Sequence, residues 1–189
     1  DGVLAGHITD GTGFMRALKD KGIDVIGKKM TMAGSGGAAS AIQVQAALDG
    51  VAEISVFNIR DKFWGNAEAM VQKINENTQC KVSLYDLADL DKLKAEMADS
   101  YLFTNATGVG MKPMEGQTYI PDVSYFRPDL TVADIIYSPA ETKLLKMAKE
   151  AGCKTMNGMG MLLFQGAASF ELWTGKEMPV AHMKEILGI

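Results

Sequence analysis

Gly34, Gly36 and Ala39 stand at the G-x-G-x-x-G/A spacing within Lys29-Met-Thr-Met-Ala-Gly-Ser-Gly-Gly-Ala-Ala39. The first glycine permits a tight turn. The second lets backbone approach a pyrophosphate, and the small third residue lets helix and strand pack closely. Free N–H groups at the helix start then face the phosphates. An apolar, strand-like run precedes the motif and a small-residue helix pattern follows it. This context points to a nicotinamide dinucleotide, with Ser35, Gly36, Gly37 and Ala38 as the residues that would hold the pyrophosphate. The bland alternative is an ordinary turn between a strand and a helix.

The end of the next strand, Asn58-Ile-Arg-Asp61, bears on which cofactor is chosen. An acidic side chain there accepts hydrogen bonds from ribose hydroxyls and favours NAD, whereas an arginine pairs with the 2′-phosphate of NADP. Arg60 and Asp61 offer both, and the reading is NAD with NADP tolerated. Asp61 also reads as a cap for a helix beginning near Lys62. Three further loops leave strands on the same edge: Asn105-Ala-Thr-Gly-Val-Gly-Met111, Ile135-Ile-Tyr-Ser138 and Asn157-Gly-Met-Gly-Met161. Ligands of open α/β sheets bind outside the carboxyl ends of the strands. Turn chemistry alone would also place glycines there.

The elements that position these loops alternate. Strands are expected at Lys29–Ala33, Glu53–Phe57, Lys81–Tyr85, Tyr101–Asn105, Leu130–Ile135 and Lys154–Met156. Several are almost wholly apolar, as buried parallel strands are. Helices are expected at Ala38–Leu48, Asn66–Asn77, Asp89–Ala98 and Glu141–Ala151, with Ala41, Ile42, Gln45 and Leu48 on the inner face of the first. This rhythm predicts an α/β fold, a doubly wound, mostly parallel, Rossmann-like sheet. A lead-in helix at Thr12–Gly22, a helix at Gly158–Thr174 and a short one at Met178–Leu187 flank it. The expected organisation is a lead-in helix and substrate-site edge over 1–27, a dinucleotide-binding domain over 28–157 and C-terminal helices over 158–189.

The 189 residues are 47% hydrophobic and 22% charged, with a net charge of −4. That is ordinary for a globular chain and unlike a disordered one. No basic block exists to neutralise nucleic-acid phosphates, and no apolar run approaches the roughly 18 residues of a membrane helix. Cys80 and Cys153 are far apart and read as buried free thiols in a reducing, cytoplasmic setting. With His7 and His182 alone, no metal site is expected.

The ordered set of motifs resembles the shikimate/quinate dehydrogenase family, especially its quinate/shikimate branch. The matching elements are Thr9-Asp-Gly-Thr-Gly13, Gly34-Ser-Gly-Gly-Ala-Ala39, Asn58-Ile-Arg-Asp61, Asn105-Ala-Thr-Gly-Val-Gly-Met111, Asp134-Ile-Ile-Tyr-Ser-Pro139 and Gly158-Met-Gly-Met-Leu-Leu-Phe-Gln-Gly-Ala167, followed by Phe170 and Trp173-Thr-Gly175. The resemblance implies hydride transfer between NAD(P) and a shikimate or quinate ring alcohol, in the chorismate route of aromatic amino-acid biosynthesis. It implies that Asp10, with Thr9 beside it, contacts the hydroxy substrate and shares proton transfer with a lysine. It implies that Gln165 and Tyr137 orient substrate. Thr107, Gly108, Ile135, Tyr137, Gly158 and Met161 join Asn58, Arg60 and Asp61 on the cofactor. Without the resemblance, Asp10 reads as the N-cap of the Thr12–Gly22 helix.

There are departures. Ile8 stands where the family usually has Asn, Gly108 replaces a longer residue, and Ile59 stands where a second Arg is frequent. The family's substrate domain, with its catalytic lysine, precedes the T-D-G motif, and none of Lys19, Lys21, Lys28 or Lys29 lies in a matching motif. The expectation is therefore a portion of a longer enzyme, weakly active alone, with a homodimer allowed for. A non-catalytic dinucleotide-binding module and a dehydrogenase of another hydroxy acid are the alternatives.

Overall fold

The computed structural model describes residues 2–189; Asp1, the first residue of the expected 1–27 unit, lies outside the described residues. β1 (Lys29–Ala33) is the centre of the sheet, paired with β2 (Glu53–Asn58) on one side and β4 (Leu102–Asn105) on the other. β3 (Lys81–Asp86) extends the sheet beyond β2. β6 (Thr131–Asp134) and β7 (Lys154–Met156) extend it beyond β4. Every pairing is parallel, and the order is β3-β2-β1-β4-β6-β7. β5 (Val109–Glu115) lies outside this sheet. With β5 set aside, the order is that of a doubly wound dinucleotide-binding fold, and it reverses between β1 and β4.

Both faces of the sheet are covered, because successive strand side chains point to opposite sides. Leu102 of β4 joins one apolar cluster and Phe103 the other. The first cluster holds Phe14 and Leu18 of α1 (Asp10–Asp20), Ile42 of α2 (Gly37–Asp49), Ile74 of α3 (Trp64–Asn77) and Met161 of α6 (Met159–Thr174). The second holds Leu93 and Met97 of α4 (Leu90–Ala98) and Leu144 and Leu145 of α5 (Lys143–Glu150). α7 (Val180–Leu187) lies at the C-terminus. Among the described residues, no helix is long and apolar enough to cross a membrane.

Most expected elements appear with ends shifted by a residue or two. Three differences matter. α1 begins at Asp10 rather than Thr12, so Asp10 is inside the first turn and Thr9 takes the N-cap position. The inner face of α2 is Ala39, Ile42, Gln43, Ala46 and Ala47, while Leu48 is exposed. Burial of Gln43 is offset because its side-chain amide Nε2 donates to the Gly34 carbonyl at 3.2 Å, a polar contact that hydropathy does not register. β5 has no counterpart in the expected elements: Gly110 and Pro113 interrupt any alternating pattern.

At the amino edge of the sheet a charged cluster ties three elements together. Lys29 Nζ lies 3.1 Å from Glu53, 2.7 Å from Glu96 and 2.9 Å from Asp99. Glu96 also accepts from Ser55 Oγ at 2.6 Å and pairs with Lys92. Burial pushes the Glu96 carboxyl up, but hydrogen bonds from Lys29, Lys92 and Ser55 outweigh it and hold the group at about 2, against an ordinary 4.5. Burial likewise pushes the Lys29 ammonium down, and its three carboxylate partners hold it above the usual lysine range.

The depressed carboxyl contributes about 3 kcal/mol at neutral pH. That contribution is complete above pH 4.5 and is lost as pH falls toward 2. Lys29 acts on the other limb, contributing fully below 10.5 and losing its contribution as pH rises through its raised value. In urea melts across pH, Glu96→Gln is expected to lower stability by about 2–4 kcal/mol at pH 7 and to flatten the acid limb. An acid limb as steep as that of the wild type would refute the assignment.

Candidate functional site

The chains leaving β1 and β4 diverge at the carboxyl edge, and the groove opens between them. Gly34 carries the turn out of β1. Its φ of +107° is open only to glycine without strain, and an added Cβ would sit 2.4 Å from the Ala106 carbonyl oxygen. Its N–H donates to the Phe57 carbonyl at 2.7 Å and its carbonyl accepts from Gln43. The loop is therefore pinned from β2, β4 and α2.

Gly36 and Gly37 differ from Gly34. A Cβ at either would meet nothing within 4 Å. Two lobes of one groove share them. Ser35, Ser40, Asn58, Ile59 and Asp61 line the lobe toward β2. Ala38, Thr107, Gly108, Met111, Ile135 and Tyr137 line the lobe toward β6. α2 starts at this junction with Gly36 as N-cap and no side-chain cap, leaving its first N–H groups to face the groove. An uncapped helix start with open glycines beside it fits a dinucleotide's pyrophosphate.

Beneath the second lobe lies a buried polar network. Asn105 Nδ2 donates to Asp134 Oδ1 at 3.0 Å and to the Val109 carbonyl at 3.2 Å. Its Oδ1 accepts from Thr107 Oγ1 at 2.7 Å and from Tyr119 OH at 3.1 Å. Asp134 accepts from Thr142 Oγ1 at 2.7 Å and from the Ile136 N–H at 3.1 Å. Burial pushes the Asp134 carboxyl above its ordinary value, against those three hydrogen bonds. Burial, then the Asp134 charge, pushes the Tyr119 phenol well up. Asn105 and Asp134 stand in the sequence motifs with no role assigned to them there. The signal was a polar residue closing an apolar strand.

The expected cofactor residues divide. Ser35, Gly36, Gly37, Ala38, Asn58, Asp61, Thr107, Gly108, Ile135 and Tyr137 line the groove. Arg60, Gly158 and Met161 do not. Arg60 is turned toward β3, its Nε 3.2 Å from Asp86 and its Cζ 4.3 Å from the Trp64 ring centroid. Gly158 is wedged beneath the loop after β6 and donates its N–H to the Ile136 carbonyl at 2.9 Å. Met161 is buried in the apolar cluster with α1. Asp61 uses one oxygen to accept the Phe63 N–H at 2.8 Å, just before α3.

The expected substrate residues Thr9 and Asp10 stand at the start of α1, and Gln165 lies on α6, which α1 crosses. Gly11 and Gly13 make the crossing possible. An added Cβ at Gly11 would sit 2.3 Å from the Ala41 carbonyl of α2, and one at Gly13 would sit 2.6 Å from the Gln165 backbone nitrogen. α1 thus docks between two helices at backbone contact. Thr9 and Ser169 hydroxyls hydrogen-bond at 3.0 Å, and Arg16 pairs with both oxygens of Glu171 at 3.0 and 3.1 Å. Asp10 caps nothing. Among the described residues its carboxylate has no hydrogen-bond or ion-pair partner. Ala41 lies one turn along α2 from Ala38, so this carboxylate end of α1 stands beside the helix whose start opens on the groove.

A parallel sheet of this order, with a glycine groove where the order reverses, defines a Rossmann-like dinucleotide-binding fold. The family profile "Shikimate 5'-dehydrogenase C-terminal domain" matches residues 158–187. A shikimate dehydrogenase (NADP(+)) of Listeria monocytogenes serotype 4b (strain F2365) is 61% identical over 187 residues, which are 99% of this chain and 64% of that relative. A crystal structure of shikimate 5-dehydrogenase from Listeria monocytogenes, in complex with shikimate and NAD, superposes with a TM-score of 0.96 at 61% identity, over 99% of this chain and 65% of that one. Quinate dehydrogenase from Corynebacterium glutamicum, in complex with NAD, gives 0.83 at 30% identity, over 97% and 63%. The chain belongs to the shikimate/quinate dehydrogenase family and corresponds to its C-terminal portion. It spans 64% of the length of the curated relative.

The two kinds of glycine separate experimentally. Gly36→Thr keeps a good N-cap and meets no neighbour, so its stability is expected within about 1 kcal/mol of wild type, while NADH affinity falls at least about tenfold through groove filling. Gly34→Ala meets backbone and is expected to cost about 2–4 kcal/mol. Thermal melts and NADH fluorescence titration check both. Unchanged NADH binding by Gly36→Thr would place the cofactor elsewhere.

Proposed function

We propose that this chain is the dinucleotide-binding, substrate-orienting part of an NAD(P)-dependent oxidoreductase acting on a shikimate- or quinate-type ring. The observation that carries the proposal is the open glycine groove at the β1/β4 divergence, with α1, which bears the unpartnered Asp10, packed against the helix that starts at that groove. Relatives bearing shikimate, NAD or NADP in their names support the same chemistry.

When bound, a nicotinamide dinucleotide supplies the hydride acceptor for alcohol oxidation or the donor for the reverse. The chain's own residues do the rest. The N–H groups at the start of α2 hold the pyrophosphate. The Asp61 oxygen not used by Phe63 accepts from the adenosine ribose, which favours NAD, with NADP accepted as well. Ile135 and Tyr137 form the wall at the nicotinamide end. Gln165 hydrogen-bonds ring hydroxyls. Asp10 takes part in moving the hydroxyl proton that must leave as the ketone forms, in partnership with the lysine that the family resemblance implies. Two free, buried thiols suit a reducing cytoplasm.

The expected behaviour of the 189-residue chain is NADH binding with weak turnover. Shikimate-dependent NADH formation is expected at least about 100-fold below the median enzyme rate of roughly 10 s⁻¹. Asp10→Asn should leave NADH affinity unchanged and lower whatever turnover is present. Brisk turnover by this chain would show that no further lysine-bearing segment is needed. A loss of NADH affinity in Asp10→Asn would move Asp10 from the substrate to the cofactor.

A further inference from the structure

We infer that Asp86, which lies outside the groove, sets the preference between a 2′-hydroxyl and a 2′-phosphate on the adenosine of the bound dinucleotide. The inference rests on the dinucleotide reading given above. Asp86 ends β3 in register with Asn58, the end of β2. The Leu87 N–H donates to the Asn58 carbonyl at 2.9 Å, so the two chain exits are held side by side. One Asp86 oxygen accepts the Ala88 N–H at 2.9 Å, which orients the carboxylate. The other lies 3.2 Å from Arg60 Nε. The Trp64 ring supports the guanidinium face at 4.3 Å.

Arg60 is therefore fixed along its Nε edge and against an indole, while its Nη edge has no partner among the described residues. Asp61, the next residue, lines the groove. The local charges cancel: Arg60 and Lys62 against Asp61 and Asp86. A ribose hydroxyl needs only an acceptor and is indifferent to that balance. A 2′-phosphate, with close to two negative charges, needs the guanidinium uncompensated. Asp86 both draws Arg60 toward β3 and neutralises it, so it handicaps the phosphate without touching the hydroxyl. Arg60 is largely exposed, so solvent screening keeps the effect moderate, about three- to tenfold.

Asp86→Asn tests this on the whole 189-residue chain. An asparagine oxygen still accepts the Ala88 N–H, so the variant removes charge more than geometry. NADH and NADPH differ only in the 2′-phosphate, and fluorescence titration reads both. NADPH affinity is expected to rise about three- to tenfold, with NADH within about twofold of wild type, and adding Arg60→Ala should abolish the gain. An unchanged NADPH/NADH ratio overturns the inference. So does an equal loss of both, which marks Asp86 as merely structural. A wild-type chain that binds neither cofactor overturns the dinucleotide reading itself, a result distinct from an unchanged ratio.

Discussion

β1 and β4 run side by side, and the chains that leave them must part within one residue. The contact that governs the parting is Gly34 against Ala106, where a single added carbon would sit 2.4 Å from a carbonyl oxygen. Two consequences follow from that closeness. The β1 exit is forced into a left-handed turn that sends α2 up one face of the sheet. The β4 exit is left free to turn the other way, over the opposite face. A crevice at the reversal is the geometric remainder, which is why open sheets of this order bind ligands there. Gln43, buried in a helix that is otherwise apolar on that side, secures the turn through the Gly34 carbonyl.

A crevice made by diverging loops would be soft unless something stiffened its far wall. Asn105 and Asp134 do so. Neighbouring strand ends place the two side chains in register, and between them they engage Val109, Thr107, Tyr119, Ile136 and Thr142. A buried polar group costs stability when unpaired and rigidifies its surroundings when satisfied. The raised Asp134 pKa records the burial. Backbone at Ile136 and Val109 is thereby held by side chains that never line the groove. The Lys29–Glu96 cluster does the corresponding work at the amino edge, where no ligand is expected and charge can be spent on joining β1, β2 and α4.

Physical reasons separate what the sequence made legible from what it did not. The glycine loop was readable because turn, helix start and close approach each demand small residues at fixed offsets, and few other structures share those demands. The parallel sheet was readable from short apolar runs of the right length. β5 was not, because Gly110 and Pro113 erase the alternation that marks a strand. Nor was Arg60's direction: a sequence names a guanidinium but not whether a carboxylate on the neighbouring strand draws it away from the groove. Met161 was placed by motif near the cofactor, yet a methionine facing α1 on an apolar helix is buried by packing. The cap that Asp10 offers when the resemblance is set aside is not formed, because a helix start two residues earlier turns a capping residue into a first-turn residue.

That two-residue shift has the largest chemical consequence. A capping aspartate spends an oxygen on backbone N–H groups. A first-turn aspartate keeps both oxygens and sits in the favourable field of the helix N-terminus. What then holds Asp10 in place is not a bond to its own side chain but the absence of side chains at Gly11 and Gly13, which lets α1 press against the backbones of α2 and α6. The Thr9–Ser169 and Arg16–Glu171 contacts fix the same helix from either end of the crossing. The start of α1 is thus held in place while its carboxylate remains uncommitted, as the proton-handling role proposed for Asp10 requires. Gly11 and Gly13, which follow the aspartate in the T-D-G-T-G motif, are as much a part of that condition as Asp10 itself.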